Sequence, residues 1–337
     1  MTNKDEIAIQ SNTKKHNWIF NTILGLWERY NYVVIFLAIL ITFLVVGKNL
    51  TWASIMLILR QSAVIGIIGF GMCFVILVGD IDLSTGSGLV LISGLSVIVF
   101  NRTNNVFITL LAALGMGLIA GTFNGFLVGI AKMPPFIVTL ATMLIFRSMA
   151  LYISNSRLYE LDSNLSSFAG FHYRFGNSSF LNVPFVGMVF LLVAAIVIYI
   201  CTSTKYGKRI YALGSNSRAA KLAGINTDWL KVSLFVICGL MVGLAAFVNI
   251  AMNRNVSPAT TGVSFEMFAI AGIVLGGISM SGGKGKVAGI IFGTLSFTVV
   301  SRIIDAFELS TEINNTVKGI ILLLAIALQM IKKRVKE

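Results

Sequence analysis

The chain has 337 residues, of which 56% are hydrophobic and 12% are charged, and its mean hydropathy is +0.89. Soluble domains average roughly 45–50% apolar and 25% charged residues, so this composition excludes an ordinary soluble protein and predicts a polytopic membrane protein. The formal charge of +13 then reports on membrane topology, and we do not expect nucleic acid as a partner.

The N-terminal segment, residues 1–30, carries four basic side chains. It lacks the short apolar core and small-residue cleavage site of a removable signal peptide. We expect a cytoplasmic segment in which residues 18–30 either lie flat on the membrane surface or lead directly into the first span.

Residues 31–331 predict one all-α transmembrane domain. A helical crossing needs about 20 apolar residues. Ten segments qualify or nearly qualify, at 31–47, 55–78, 83–100, 106–131, 135–154, 185–203, 232–252, 264–280, 287–304 and 314–331. With the N-terminus inside, the cytoplasmic pieces hold 17 of the 26 Lys and Arg residues, including a basic tail at 332–337, and the outer loops hold five. This asymmetry predicts that both termini are cytoplasmic.

Two long loops interrupt this domain. The outer loop, residues 155–184, is rich in Ser, Asn and aromatic residues, and is either a lid or docking surface for an external partner or a solvated connector. The inner loop, residues 204–231, contains Asn216, a run of helix formers and Gly224, which predicts a two-turn helix over 216–223. Such a helix is too short to be stable alone, so it either docks a soluble motor or packs as a basic surface helix.

The stretch GDIDLSTGS, residues 79–87, places Asp80 and Asp82 between two apolar runs. Gly79 frees the backbone, and an aspartate can cap a new helix that begins near Leu83, so the pattern predicts a helix interruption. Only 16 apolar or Gly residues separate Ser62 from Gly79. They span about 24 Å of a roughly 30 Å bilayer core. The interruption is therefore either inside the bilayer or, if residues 52–59 complete the crossing, a short cytoplasmic turn.

A second stretch, GGISMSGGKG at residues 276–285, aligns with residues 79–88. The five identities pair Gly79, Ile81, Ser84, Gly86 and Gly88 with Gly276, Ile278, Ser281, Gly283 and Gly285. Both copies end a span that runs from outside to inside in the predicted topology. The alignment therefore predicts a parallel internal repeat.

Motifs for catalysis and metal binding are missing from the sequence. There is no GxxxxGK[ST] phosphate loop, no HExxH and no GxSxG, so we expect neither an enzyme nor ATP hydrolysis by this chain. Cys73, Cys201 and Cys238 lie in or beside apolar runs without CxxC spacing, which predicts small core residues. We expect no metal and no cofactor.

Four ordered motifs resemble the bacterial ABC sugar-importer permeases of the ribose, galactose and xylose type. They are GDIDLSTGS, MPPFIVTLATM at 133–143, YALGSN at 211–216 and VLGGISMSGG at 274–283. The resemblance covers most of residues 50–330. It implies a multi-pass protein of the bacterial inner membrane that pairs with a second permease copy or paralogue. ABC ATPase subunits and an extracytoplasmic sugar-binding protein are the further partners it implies.

By the same resemblance, two groups of residues carry function. The candidates for the helix break or translocation pathway are Asp80, Asp82, Ser84, Thr139, Thr142, Ser279 and Ser281. The candidates for ATPase coupling are Asn216, Arg218, Ala219, Ala220, Lys221 and Gly224. Asp80 departs from the family pattern, because it stands where a second glycine is usual.

The leading hypothesis is an importer permease for a monosaccharide or similar small polyhydroxy compound. One alternative is a secondary carrier or channel that works without an ATPase. Another keeps the ABC machinery but carries a nucleoside, an amino acid or a signalling furanose.

Overall fold

The structure is a computed structural model that describes residues 32–45 and 51–307, together with positions 313, 316, 317, 319, 320 and 323. The predicted N-terminal segment 1–30 and basic tail 332–337, and most of the predicted span 314–331, lie outside the described residues.

Helices account for most of the described chain. They are α1 (Tyr32–Val45), α2 (Trp52–Ile76), α3 (Thr85–Thr103), α4 (Val106–Gly129), α5 (Pro135–Ile153), α6 (Phe185–Ser203), α7 (Lys205–Ser215), α8 (Ser217–Leu222), α9 (Thr227–Met252), α10 (Phe265–Leu275) and α11 (Gly289–Ala306). Six of these, α2 to α6 and α9, are long and apolar enough to cross a membrane. The predicted class, a mostly helical polytopic membrane protein, is confirmed. The total of ten crossings and the orientation of the termini stay predictions.

Helix α9 lies at the centre of the fold and packs against α2, α3 and α4. Along α4 a glycine recurs every fourth residue, at Gly117, Gly121, Gly125 and Gly129. A Cβ atom on Gly121 would lie only 2.4 Å from the carbonyl oxygen of Phe235 on α9. The stripe therefore lets the two antiparallel backbones touch, which is how membrane helices pack closely without large side chains.

Helix α10 is much shorter than its predicted span of 264–280. Its 11 residues rise about 16 Å, roughly half of a bilayer core. Ser264, in a left-handed conformation, precedes the helix, and Gly277, also at positive φ, follows it. Backbone geometry at both ends thus limits a segment whose composition alone suggested a full crossing.

The inner loop 204–231 is more helical than its sequence suggested. The predicted short helix is confirmed as α8, where Asn216 Oδ1 accepts the Ala219 N–H at 3.0 Å and Gly224 adopts a φ of +80°. Helix α7 was not predicted. It forms because Gly207, Ile210 and Leu213 recur on one buried face.

The outer loop 155–184 contains a π-helix at Ala169–Gly176 and three of the two-residue strands. The four strands in the described chain are β1 (Tyr159–Glu160), β2 (Ser179–Phe180), β3 (Val183–Pro184) and β4 (Asn255–Val256), and β1 pairs antiparallel with β4 as β2 does with β3. Phe171 of the π-helix is buried against Phe100 and Phe247, with ring centroids 5.2 and 5.0 Å apart. This stretch is therefore packed onto the helices rather than freely solvated.

Candidate functional site

The first helix break, residues 77–84, joins α2 to α3. Helix α2 ends in a turn in which the Asp80 N–H donates to Val75 O at 3.2 Å and Gly79 has a φ of +84°. The predicted interruption at Gly79 is thus confirmed. Helix α2 begins at Trp52, so residues 52–59 do lengthen the segment before the break, and its 25 residues, about 37 Å long, are enough to cross a bilayer. This favours the second predicted alternative, a turn at the end of the crossing, and the depth of the break stays a prediction.

Asp82 fixes the start of α3. Its Oδ1 accepts the backbone N–H of Ser84 at 2.9 Å and the Ser84 hydroxyl at 2.6 Å, and the Ser84 hydroxyl accepts Asn124 Nδ2 at 2.9 Å. All three side chains are buried. The carboxylate lies at the positive end of the α3 dipole, as the sequence predicted. Asn124 was missed, although a lone asparagine in the apolar run of α4 was a usable signal.

Asp80 has a different partner. Its Oδ2 lies 2.7 Å from Nζ of Lys231 in α9, and the two side chains are only 11% and 27% exposed. Asp82, by contrast, contacts Cys238 on the same helix. Cys238 lies seven positions after Lys231 in the helix, about 10 Å of rise. The first break therefore lies along α9, from near the start of that helix towards its middle. Asp80, the residue that departs from the family pattern, holds the end of the break that lies nearest the start of α9.

The second helix break, residues 276–288, begins with the same turn. The Ile278 N–H donates to Ile273 O at 3.2 Å and Gly277 has a φ of +85°. The counterpart of Gly79 in the structure is therefore Gly277, one residue beyond the Gly276 of the sequence alignment. Ser279 Oγ accepts the N–H of Ser281 at 3.3 Å, so both predicted serines hold the local turn.

The two breaks touch each other and also touch α7. The Gly283 N–H donates to Leu77 O at 2.8 Å. A Cβ atom on Gly214 of α7 would lie 1.9 Å from that same carbonyl oxygen and 2.6 Å from Gly283 N. We call Leu77, Gly214 and Gly283 the three-way junction. The sequence assigned Gly214 to a motif but could not show that the motif meets both breaks.

Tyr211 strengthens this junction, because its hydroxyl donates to Gly285 O at 2.9 Å. Burial raises the pKa of Tyr211 to about 12, so the phenol remains a donor near neutral pH. Ser215 adds a weaker contact, with its Oγ 3.5 Å from Gly283 O. Side chains of α7 thus form hydrogen bonds with successive backbone carbonyls of the second break.

Helix α8, next in the chain, carries the predicted coupling residues. Asn216, Arg218, Ala219, Lys221 and Gly224 are exposed, whereas Ala220 is buried against the rest of the protein. Two apolar residues that the sequence reasoning missed are also open to solvent. Leu222 is 91% exposed, and Trp229 at the start of α9 is exposed as well.

The two threonines predicted on α5 have different contacts. Thr139 Oγ1 donates to Ile81 O in the first break at 3.3 Å, whereas Thr142 Oγ1 bonds only to carbonyls of its own helix. Both are buried, as Asp82 and Ser84 are. In this conformation all four residues are buried rather than lining an open path, and Thr139, Asp82 and Ser84 make the contacts that hold the break inside the protein.

Another polar contact of α5 was missed by the sequence reasoning. The Arg147 guanidinium donates to the carbonyls of Pro258 and Thr261, at 2.9 and 2.7 Å, and ties the segment before α10 to α5. A lone arginine inside an apolar run was the available signal.

The three cysteines are free and buried, as predicted. Among the residues that the structure describes, no group of three His, Cys, Asp or Glu side chains is placed to hold a metal ion.

Comparison with known proteins identifies the protein family to which this chain belongs. Residues 54–326 match a family model described as a branched-chain amino acid transport system permease component. The ribose import permease RbsC of Bacillus subtilis is 35% identical over 295 residues, covering 87% of this chain and 90% of the relative. The fructose import permease FrcC of Rhizobium meliloti is 33% identical and covers 85% and 81%.

The xylose transport system permease XylH of Escherichia coli is 30% identical and covers 86% of this chain and 87% of the relative. No solved structure matches the chain. With most of its length matched by the family model and by these relatives, the chain belongs to the family of ABC importer permeases, whose members are membrane transport subunits rather than enzymes.

Proposed function

We propose that this chain forms the translocation pathway of an ABC importer for a monosaccharide or a similar small polyhydroxy compound. The relatives named for ribose, fructose and xylose support this substrate class. The observation that carries the mechanism is the position of α8. It presents an exposed leucine to solvent and follows directly on α7, which contacts both helix breaks.

Separate ATPase subunits would drive transport by binding α8. A helix of six residues is not stable alone, and Ala220 gives it only one buried contact point. Its exposed face combines Leu222 with Arg218 and Lys221, an apolar contact flanked by positive charge. Movement of α8 would displace Gly214, and the three-way junction would then shift the ends of α2 and α10 together.

The pathway itself would form between this chain and a second permease, either another copy or a paralogue. Large apolar side chains remain exposed along α5, including Phe136, Ile137 and Leu144. Part of this face would meet the second permease and part would meet lipid. The extracytoplasmic binding protein would dock on residues 169–182, where Tyr173 and Phe180 are exposed.

Reconstituted transport tests this proposal. The permease, its ATPase and its binding protein are placed in proteoliposomes, and uptake of labelled ribose, xylose, fructose and leucine is measured with and without ATP. We expect ATP-dependent uptake of a sugar. Uptake by the permease alone without ATP would instead support a secondary carrier, and uptake of leucine alone would move the substrate class to amino acids.

Leu222→Ser isolates the coupling step. We expect at least a tenfold loss of ATP-dependent uptake and a matching loss of ATPase subunits from the purified complex, because a central apolar anchor is removed from the interface. Val45→Ser is the matched control, since Val45 is also a largely exposed apolar residue but lies on α1. If Leu222→Ser keeps both uptake and bound ATPase, α8 is not the coupling helix.

A further inference from the structure

Helix α7 exposes a row of basic side chains along the face opposite its buried residues. Lys205, Lys208 and Arg209 stand at i, i+3 and i+4, so they share one face, and all three are exposed. Exposed Lys284, from the second break, lies beside the same helix, because its neighbours Gly283 and Gly285 are bonded to Ser215 and Tyr211. We call these four residues the basic ridge.

Among the residues that the structure describes, none of the four side chains of the basic ridge forms an ion pair. The chain contains no acidic residue between Asp162 and Asp228, and none from 267 to 304. The three ion pairs found within the described ranges join other residues. A row of exposed cations with no carboxylate beside it creates a positive potential that attracts anions from outside the chain.

Its position points to the bilayer surface. Helix α7 starts two residues after α6 ends, with Thr204 capping it by accepting the Gly207 N–H at 3.1 Å. On α6 the exposed residues Leu192, Ile196 and Tyr199 form an apolar stripe that ends in a tyrosine. A tyrosine at the end of an apolar stripe is typical of the headgroup level of a membrane. The ridge therefore begins where phospholipid headgroups would lie.

We propose that the basic ridge binds the phosphate headgroup of an anionic phospholipid, with the acyl chains against the apolar stripe of α6. Clusters of Lys and Arg directly beside a membrane helix attract anionic lipids in this way. The bound headgroup would hold α7 on the membrane surface while its other face contacts both helix breaks. The lipid surface is a better match than a soluble protein, because the exposed leucine that suits a protein interface lies on α8 instead.

The test uses the full-length permease alone, so that it does not depend on the ATPase. Binding of phosphatidylglycerol and of phosphatidylcholine is measured by native mass spectrometry after detergent exchange, for the wild type and for Lys208→Gln with Arg209→Gln. We expect retained phosphatidylglycerol to fall at least about tenfold in this variant, because each basic residue near an anionic surface contributes a several-fold factor. Phosphatidylcholine retention should stay unchanged.

The matched control is Arg102→Gln with Arg157→Gln, which removes two exposed arginines elsewhere on the protein. It should keep the wild-type preference for phosphatidylglycerol. Excess glycerol phosphate should not displace the lipid, which separates a membrane headgroup from a soluble phosphate ligand.

Two results would overturn the proposal. One is equal retention of phosphatidylglycerol in the ridge variant and the wild type. The other is an equal fall in retained phosphatidylglycerol for Arg102→Gln with Arg157→Gln, which would make lipid retention depend on net charge rather than on the ridge.

Discussion

The two helix breaks begin with the same turn but are held in place by different chemistry. The first is fixed by side chains, with Asp80 paired to Lys231 and Asp82 bonded to Ser84. The second contains no acidic residue and is fixed by backbone contacts of glycines, of which Gly277, Gly282, Gly283 and Gly285 have positive φ. The first break is therefore held to α9 by an ion pair, whereas the second break is held to α7 by contacts of its own backbone.

This difference suggests unequal roles during transport. Gly283 of the second break packs directly against the backbone of Ser215 at the end of α7, where an added Cβ atom would lie 2.7 Å from Ser215 N, so a displacement of α7 passes directly to the second break. The ion pair of Asp80 can lengthen and reform, because Lys231 has a long flexible side chain. We expect the second break to transmit movement and the first to resist it until the pair yields.

The largest effect is expected at the three-way junction. Gly214→Ala would place a methyl group 1.9 Å from Leu77 O and must separate α7 from both breaks. Overpacking of this kind costs about 1–3 kcal/mol, and we expect transport in proteoliposomes to fall at least tenfold. Thermal unfolding in detergent should report the loss of stability in parallel.

Gly115→Ala is the control for that change, since a Cβ atom there meets nothing within 4 Å. Tyr211→Phe offers a gentler version, because it removes only the hydroxyl bonded to Gly285 O. We expect it to lower coupled transport without loss of bound ATPase. Wild-type transport by Gly214→Ala would show that the junction carries no movement.

A smaller effect is expected from the ion pair of the first break. Asp80→Asn leaves Lys231 without its carboxylate in a site where it is only 27% exposed, and we expect a loss of about 1–3 kcal/mol in the free energy of unfolding. Asp228→Asn breaks the pair with Lys132, whose side chains are 40% and 57% exposed, and should cost less than about 1 kcal/mol.

Adding Lys231→Gln to Asp80→Asn tests the pairing itself. The double variant should be more stable than Asp80→Asn alone, because it removes the unpaired charge. Equal unfolding midpoints for Asp80→Asn and Asp228→Asn would mean that burial adds nothing to the first pair.

Local patterns predicted the local features of this site. The break at Gly79, the carboxylate of Asp82 at the start of α3 and the capped helix after Asn216 all follow from neighbouring residues. The pairing of Asp80 with Lys231 joins residues 151 apart in the chain, and nothing in one sequence marks such a pair. The contact of Gly214 with both breaks is equally long-range.

The one-residue difference between the sequence alignment of the two breaks and their alignment in the structure was also not predictable from local patterns. Matching identities aligned Gly79 with Gly276, because glycine and serine recur at that spacing. The turn is set instead by the residue at which each helix ends, which makes Gly277 the counterpart. The copies also diverge afterwards, since α3 begins at Thr85 and α11 only at Gly289. The internal repeat therefore stays a prediction, now with a different register.

Alanine substitutions at the glycines of the two breaks should separate the cost of a left-handed backbone from the cost of steric overlap. At Gly79 a Cβ atom has room, with Ser281 O 3.6 Å away, so Gly79→Ala bears only the left-handed backbone cost of about 1–2 kcal/mol. At Gly282 the same atom would also lie 2.9 Å from Gly79 N, so Gly282→Ala should be more destabilising. Gly79→Asn should recover part of the loss, because asparagine tolerates that conformation. Unfolding midpoints that rank Gly79→Ala below Gly282→Ala in stability would show that the first break, not the second, is the more tightly held by its backbone.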